Sequence, residues 1–189
     1  MAVNHILDGG ADMTQLTITE ALAEIKTIDK RLAKKQEFVV SNLARDEKMR
    51  DPLERDGGSE KLVSEGDQAI RDLNDRKVAI RLAIQSSNMH TDLTVQGETR
   101  LIAAWLIWRR EVADWMTTHL NHQTRALNSF RVQVKRAVGR GVPDDETSSG
   151  IIAHLSEADL AARSENLETI LGDLDGQLSL KNATTIIEI

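Results

Sequence analysis

Apolar residues recur at spacings of three, four and seven along most of this chain, which is the pattern of amphipathic helices. The first such stripe begins at Ile18 and continues to Leu43. Thr17 and Glu20 form the T-x-x-E capping box that marks a helix start, because each side chain can satisfy an unpaired amide of the first turn. A long helix is therefore predicted from Thr17 to about Asp46.

A second helix is predicted to begin at Ser59, after a polar turn. Proline disfavours helical geometry in the residue before it, so Asp51-Pro52 should end the first helix. The heptad stripe of the second helix continues until a Ser-Ser-Asn sequence interrupts it at residues 86–88. Because a short polar loop joins the two helices, we expect an antiparallel helical hairpin over residues 17–88, preceded by an N-terminal arm of residues 1–16.

A third helix is predicted over residues 97–120, and it carries the three tryptophans of the chain on one face. Burying each such ring stabilises a fold by about 2 kcal/mol or more, so this face is interpreted as core or as a subunit interface. A platform on which bases or sugars stack is the alternative. The stripe consists of Leu101, Trp105, Trp108, Val112 and Trp115.

The pattern changes after Leu120. Apolar and polar residues alternate strictly from Ser129 to Lys135, which is typical of a half-buried strand. Glycines and acidic residues predict a loop over residues 139–150, and the isoleucines after it predict a second strand. Residues 128–155 are thus expected to form a basic strand, an acidic loop and a short strand.

The chain ends in a helix and a tail. Ser156 and Asp159 form a capping signature for a helix over residues 156–182. The isoleucine-rich tail, residues 183–189, is predicted to be an extended strand that pairs with residues 130–135, with residues 3–7 or with a neighbouring subunit. The final helix carries an apolar stripe of Leu160, Leu167, Leu171, Leu174 and Leu178.

These elements predict a mainly α fold, a long-helix antiparallel bundle or coiled coil with a small β appendage. The composition agrees, since 40% of the residues are hydrophobic but only 3% are aromatic, so aliphatic side chains must build the core. The 189 residues suffice for one ordinary domain. The absence of cysteine excludes a disulfide framework, thiolate metal sites and a cysteine nucleophile.

The cellular location of the protein is constrained by two sequence features that the chain lacks. No stretch approaches 18 consecutive apolar residues, and the N-terminus lacks a basic region followed by an apolar one. Neither a membrane span nor a signal peptide is therefore predicted. We expect a protein of the virion or the cytoplasm that is not secreted through a signal peptide.

Charge is unevenly distributed along the chain. Residues 97–142 carry eight basic and three acidic side chains, whereas residues 143–189 carry two and ten. A basic strand could contact nucleic-acid phosphates or an acidic protein surface. The net charge of −6 favours the protein contact, so nucleic acid is not the expected partner.

The chain contains no motif that indicates catalysis. It has neither a glycine-rich nucleotide-binding sequence nor a G-x-S-x-G serine elbow. His119-x-x-His122 lacks the glutamate between the histidines that zinc proteases use. We therefore predict no catalytic, cofactor-binding or metal-binding residues and no cofactor, and we interpret the chain as a protein that is not an enzyme.

Several segments resemble the septicolysin-like family of small bacterial helical proteins. They are the long helix with LTITEALAEIKTIDKRL, the helix end IQSSN, a third helix that opens with a turn containing Thr and Gly, the basic FRVQVK and the final DLDGQLSLKN. The resemblance spans most of the chain. It implies a cytosolic helical adaptor or homo-oligomer and no particular reaction.

The leading hypothesis is a non-enzymatic structural protein that acts by assembly, as a component of a tailed-phage particle or a similar multi-subunit machine. The cytosolic adaptor or homo-oligomer of the septicolysin-like type is the alternative, and an enzyme with an unrecognised site comes third. The expected partners are further copies of the chain, other structural proteins, or both. The interface candidates are Trp105, Trp108, Trp115, Arg131, Lys135, Arg136, Ile186, Ile187 and Ile189.

Overall fold

A computed structural model describes residues 14–138 and 153–189 and shows a mainly α fold with a small β component, as predicted. The described residues divide into two compact units, one of residues 14–88 with 179–189 and one of residues 89–138 with 153–178. The described helices are α1 (Ile18–Ser41), α2 (Ser59–Asn88), α3 (Ile102–Ile107), α4 (Asp114–Val138) and α5 (Glu157–Thr184). The strands are β1 (Gln15–Thr17), β2 (Asp92–Val95), β3 (Glu98–Leu101) and β4 (Ile186–Glu188).

The first unit contains the predicted hairpin of α1 and α2. Its core is aliphatic, with Ile25 and Ile28 of α1 buried in one cluster with Ile80 and Ile84 of α2. Beside this core, Arg76 donates a 2.9 Å hydrogen bond to the carboxylate of Glu24, so a partly buried ion pair also joins the two helices.

Side-chain hydrogen bonds define both ends of α1. Thr17 and Glu20 form the predicted capping box at the start of α1. The same helix ends at Ser41, earlier than expected, because the side chain of Asn42 donates to the carbonyl of Phe38 and closes the last turn. Asn42 therefore ends α1 ten residues before Pro52, and a 3-10 turn, Glu54–Asp56, lies in the connection that follows.

Asp51 caps α2 from eight residues away. Its carboxylate accepts a 2.5 Å bond from the hydroxyl of Ser59 and a 2.8 Å bond from the amide of Ser59. Hydrogen bonds from Ser59 and from the amide of Leu53 stabilise the ionised carboxylate, which lowers the pKa of Asp51 to about 2. α2 begins at Ser59, as the sequence indicated.

The tail pairs within the chain. β4 lies antiparallel to β1, with Leu16 opposite Ile187, and Thr14 and Ile189 exchange backbone hydrogen bonds at the end of the ladder. Ile187 packs into the core of the hairpin unit. The tail is extended from Thr185 onwards rather than from residue 183, because α5 continues to Thr184, and its partner is the segment immediately before α1 rather than residues 130–135. The alternative partner at residues 3–7 lies outside the described residues.

The second unit begins with a β-hairpin that was not predicted. β2 and β3 pair antiparallel through a two-residue turn in which Gln96 and Gly97 have φ values of 49° and 81°. Two residues with positive φ make the tight turn whose twist matches that of paired strands. The prediction of a helix from residue 97 was therefore wrong at its start, and helical structure begins at Ile102.

The prediction of a basic strand was also wrong, because α4 continues without interruption to Val138. The half-buried side chains Leu127, Arg131 and Val134 are spaced by four and three, which is the helical period. The alternation of Ser129 to Lys135 therefore does not correspond to a buried and an exposed strand face. Residues 139–152, which include the predicted acidic loop and the start of the second strand, lie outside the described residues, and residues 153–155 form no strand.

The predicted final helix is confirmed as α5. The carboxylate of Asp159 accepts hydrogen bonds from the amide and the hydroxyl of Ser156, and that hydroxyl accepts one from the amide of Asp159, which completes a capping box. The buried residues of the helix are Leu160, Leu167, Leu174 and Leu178, which belong to the predicted stripe. No helix within residues 14–138 or 153–189 is long and apolar enough to cross a membrane.

Candidate interaction site

The three tryptophans have different environments. Trp105 is only 2% exposed and lies in a cluster with Leu93 and Leu174. Its indole N–H donates a 3.0 Å hydrogen bond to the carbonyl of Leu93, and the guanidinium of Arg100 lies 4.6 Å from the centre of its ring. Trp105 is therefore part of the core of the second unit.

Trp108 is half-buried and joins two parts of that core. Its ring meets Trp105 edge to face, with ring centres 5.5 Å apart. It packs against the cluster of Trp105 and also against a second cluster that contains Leu120 and Leu167. Trp108 therefore stabilises the fold rather than presenting a free ring.

A π-helical segment, Trp108–Ala113, explains why the third tryptophan departs from this pattern. One π-helical turn takes up an extra residue, so the positions after it rotate relative to a regular α-helix. Ala113 is buried where the heptad pattern predicted Val112, and Val112 is 41% exposed. The predicted tryptophan face is thus divided, and Trp115 is 62% exposed.

Trp115 lies beside a groove between α4 and α5 within the second unit. Its ring stacks on the imidazole of His119, with ring centres 4.8 Å apart and planes 11° from parallel. The groove has a volume of about 210 Å³. Most of its lining is apolar and comes from Trp108, Trp115, Met116, Leu120, Leu167 and Ile170.

Four polar side chains also line this groove, His119, Gln123, Arg163 and Asn166. The side-chain oxygen of Gln123 is buried and has no hydrogen-bond partner in the described part of the chain. A buried acceptor without a partner is costly, so this oxygen lowers the stability of the packing around it. This acceptor was not predicted, because no sequence pattern identifies one glutamine among many as buried.

The exposed apolar surface next to the groove is compact. Trp115 and Met116 follow Val112 by three and four residues, so the three side chains lie on one side of the helix, and each is more than a third exposed. We call these three residues the Trp115 patch. Together with the groove it forms the candidate site.

The basic interface candidates lie in the second half of α4. Arg131 donates a 2.5 Å hydrogen bond to Glu157, so its charge is paired within the second unit. Lys135 and Arg136 are exposed in the last turn of α4, where cations are favourable because they face the negative end of the helix dipole. Lys135 and Arg136 therefore stabilise the C-terminal end of α4.

The candidates in the tail belong to the first unit. Ile187 is 5% exposed, and Ile189 is partly buried against the same core. Ile186 points the other way and is 61% exposed. Only Ile186 of the three therefore presents a large surface to a partner.

A second groove lies on the helical hairpin and was not predicted. Its volume is about 600 Å³, and its lining combines the cations Arg31, Lys34 and Lys35 with Phe38 and Leu73. The sequence signal was the cluster of basic residues between Lys30 and Lys35, which an ordinary solvated helix face would also show.

Possible metal ligands and side chains with shifted pKa values were also considered as parts of a functional site. Among the described residues, no group of three or more acidic or histidine side chains is arranged to hold a metal ion. The carboxylates of Glu20, Asp51 and Asp159 have lowered pKa values, and in each case the first cause is a hydrogen bond from the threonine or serine that it meets at a helix start. These shifts reflect helix capping.

Searches with the whole sequence and structure found no matching family model, no similar curated protein and no similar solved structure.

Proposed function

We propose that this chain is a non-enzymatic structural protein that works by binding other protein chains, as a component of a tailed-phage particle or a comparable multi-subunit machine. The observation that carries the proposal is the exposure of Trp115 within the Trp115 patch. Large contiguous apolar surfaces are rare on soluble monomers and mark sites where proteins bind. Tryptophan is also among the residues that contribute most to binding energy at interfaces.

The adjoining groove supports the same proposal. A projecting aromatic ring beside an apolar recess supplies the two shapes that a packed interface requires.

The tail gives no support to the proposal. An isoleucine-rich strand with no internal partner would have been a strong sign of assembly. Instead, β4 pairs with β1, and Ile187 is buried in the hairpin core. The proposal therefore depends on the second unit and on the surface around Trp115.

Sedimentation in the native setting tests the proposed function. An epitope-tagged chain, expressed in its own host, should sediment with large particles at a fixed ratio to their other proteins. Trp115→Ala should remove it from that fraction, whereas Leu82→Ala, at a residue 61% exposed on α2, should not. A chain that sediments only at its own mass of 21.0 kDa, with or without Trp115, would contradict the proposal.

A further inference from the structure

We propose that the groove between residues 31–38 of α1 and residues 69–73 of α2 binds a helix of another protein, one that carries an apolar stripe with carboxylates beside it. We call this site the hairpin groove. It belongs to the first unit, so the inference does not depend on the Trp115 patch, which belongs to the second.

The hairpin groove is a shallow channel with an apolar floor. Phe38, Ala69 and Leu73 form that floor, and each is only half-buried. Residues 31–38 make two turns of α1, so the channel is about 10 Å long. Small-molecule sites enclose most of their ligand, whereas this channel is open to solvent. An open apolar channel between helices suits the apolar side of an amphipathic helix.

The charges along α1 indicate the chemistry of the partner. Lys30, Arg31, Lys34 and Lys35 are exposed, and none of them forms an ion pair within residues 14–138 or 153–189. Lys30 with Lys34 and Arg31 with Lys35 are like charges four residues apart, a spacing that destabilises a helix. Carboxylates of a bound helix would relieve this repulsion.

Elsewhere the hairpin supplies its own counter-charges. Arg76 of α2 pairs with Glu24 of α1, and Lys77 pairs with Asp29. At the groove α2 offers only Asp72, against three lining cations from α1. The lining therefore has an excess of two positive charges, and this excess favours an acidic partner.

The arrangement favours a helix over a membrane surface or a nucleic acid. The apolar residues form the floor of a channel, which a flat bilayer does not enter. The carboxylate of Asp72 on the α2 side would repel the phosphates of either partner. A helix avoids this conflict, because it can direct apolar side chains at the floor and its carboxylates at α1 alone.

The test uses a fluorescent peptide of about 18 residues, or five helical turns, with a leucine stripe, glutamates along one side of the stripe and glutamines along the other. Fluorescence anisotropy should show that the full chain binds this peptide and that added salt weakens the binding, because the cations are exposed. Peptides with lysine in place of glutamate, or glutamine in place of leucine, should bind at least about tenfold more weakly. Equal binding of the three peptides would overturn the proposal.

A matched pair of charge reversals in the chain locates the binding. Arg31→Glu reverses one cation of the groove and should weaken binding about tenfold. Arg81→Glu makes the same change at an exposed position eight residues beyond Leu73, about 12 Å along α2, and should alter binding less than about twofold. If the two variants weaken binding equally, or if neither does, the hairpin groove is not the site.

The same variants show that lost binding is not lost folding. Arg31→Glu places a carboxylate four residues before Lys35, an arrangement that stabilises a helix. Its melting temperature by circular dichroism should therefore be no lower than that of the wild type.

Other occupants give different results. Phosphatidylserine vesicles or single-stranded DNA that bind the chain more tightly than the peptide, and that Arg31→Glu releases, would overturn a protein partner. A chain that dimerises alone in sedimentation equilibrium and becomes monomeric with Arg31→Glu would assign the groove to a second copy and overturn the proposal of a separate partner. None of these measurements involves Trp115, so each outcome leaves the particle sedimentation test of the proposed function unaffected.

Discussion

The indole N–H of Trp105 in α3 donates a 3.0 Å hydrogen bond to the carbonyl of Leu93 in β2. This bond fixes the first helical turn after the β2–β3 hairpin to the strand that precedes it. Arg100 of β3 covers the ring of Trp105 at 4.6 Å, so the hairpin and the helix enclose the side chain from two directions. The tryptophan therefore organises the start of the second unit.

Trp105→Ala should lower the free energy of unfolding by about 3–5 kcal/mol, because it removes a buried ring and leaves a cavity. The measurement is urea denaturation in dilute solution. Trp115→Ala is the matched control and should cost less than about 0.5 kcal/mol under the same conditions, since exposed positions contribute little to stability. Equal losses for the two variants would show that the assignment of Trp105 to the core and Trp115 to the surface is wrong.

Gly66 of α2 packs closely against the side chain of Val39 in α1. A Cβ atom added there would lie 2.9 Å from Cγ2 of Val39, so Gly66→Ala should destabilise the hairpin by about 1–3 kcal/mol despite the better helix propensity of alanine. Val39→Ala in the same chain should recover part of the loss. Denaturant titration measures each variant.

Gly172 provides the control for this substitution. It lies in α5 with no atom within 4 Å of an added Cβ. Gly172→Ala should therefore stabilise the protein by about 0.5–1 kcal/mol through helix propensity alone. Opposite signs at the two glycines are the expected result, and stabilisation at Gly66 would disprove the close contact with Val39.

The tail should contribute to the stability of the hairpin unit. Ile187→Ala removes a side chain from the core and should cost about 2–5 kcal/mol, whereas Ile186→Ala, at a position 61% exposed, should cost less than about 1 kcal/mol. Thermal unfolding with calorimetry compares the pair. If both variants unfold like the wild type, the pairing of β4 with β1 does not contribute to the fold.

Asp51 should make the hairpin sensitive to acid. The pKa of its carboxylate falls from 3.8 to about 2 on folding, so the ionised form stabilises the folded state at pH values above about 4. This contribution is lost as the pH falls through about 2. The difference in unfolding free energy between wild type and Asp51→Asn should be constant above about pH 5 and shrink between pH 4 and 2. A difference that stays the same at every pH would contradict the hydrogen-bonded cap.

Much of the helical fold could be predicted because local signals and long-range packing agree there. Thr17 with Glu20 and Ser156 with Asp159 form capping boxes that depend only on neighbouring residues. The leucine stripe of α5 is buried as its spacing requires. In these elements the sequence period, the cap and the buried face all indicate the same structure.

The secondary-structure predictions were wrong where two local sequence signals compete. Gly97 was assigned to a helix start, whereas Gln96 and Gly97 both have positive φ and form the tight turn between two paired strands. Apolar and polar residues alternate between Ser129 and Lys135 in a way that is typical of a strand. These residues nevertheless belong to α4, which is helical from Asp114 to Val138. A helix that continues needs no new nucleation, whereas an isolated strand needs a partner for its backbone.

The candidate site could be predicted only in part. Trp115 was identified as an interface residue, but a regular heptad placed it on the same face as Trp105. The π-helical segment between them rotates Trp115 towards solvent, and no spacing in the sequence reveals that extra residue. The buried oxygen of Gln123 depends on the packing of α4 against α5 and is equally invisible in the sequence.

Photo-cross-linking from position 115 tests most directly whether this surface binds another protein. Trp115 would be replaced by benzoylphenylalanine in the full chain, expressed in its own host, and the same replacement at Leu82 would serve as the control. We predict a covalent adduct of defined mass from position 115 and none from position 82. If position 115 yields no adduct, or if both positions yield the same products, the surface around Trp115 is not an interface and the assembly role fails.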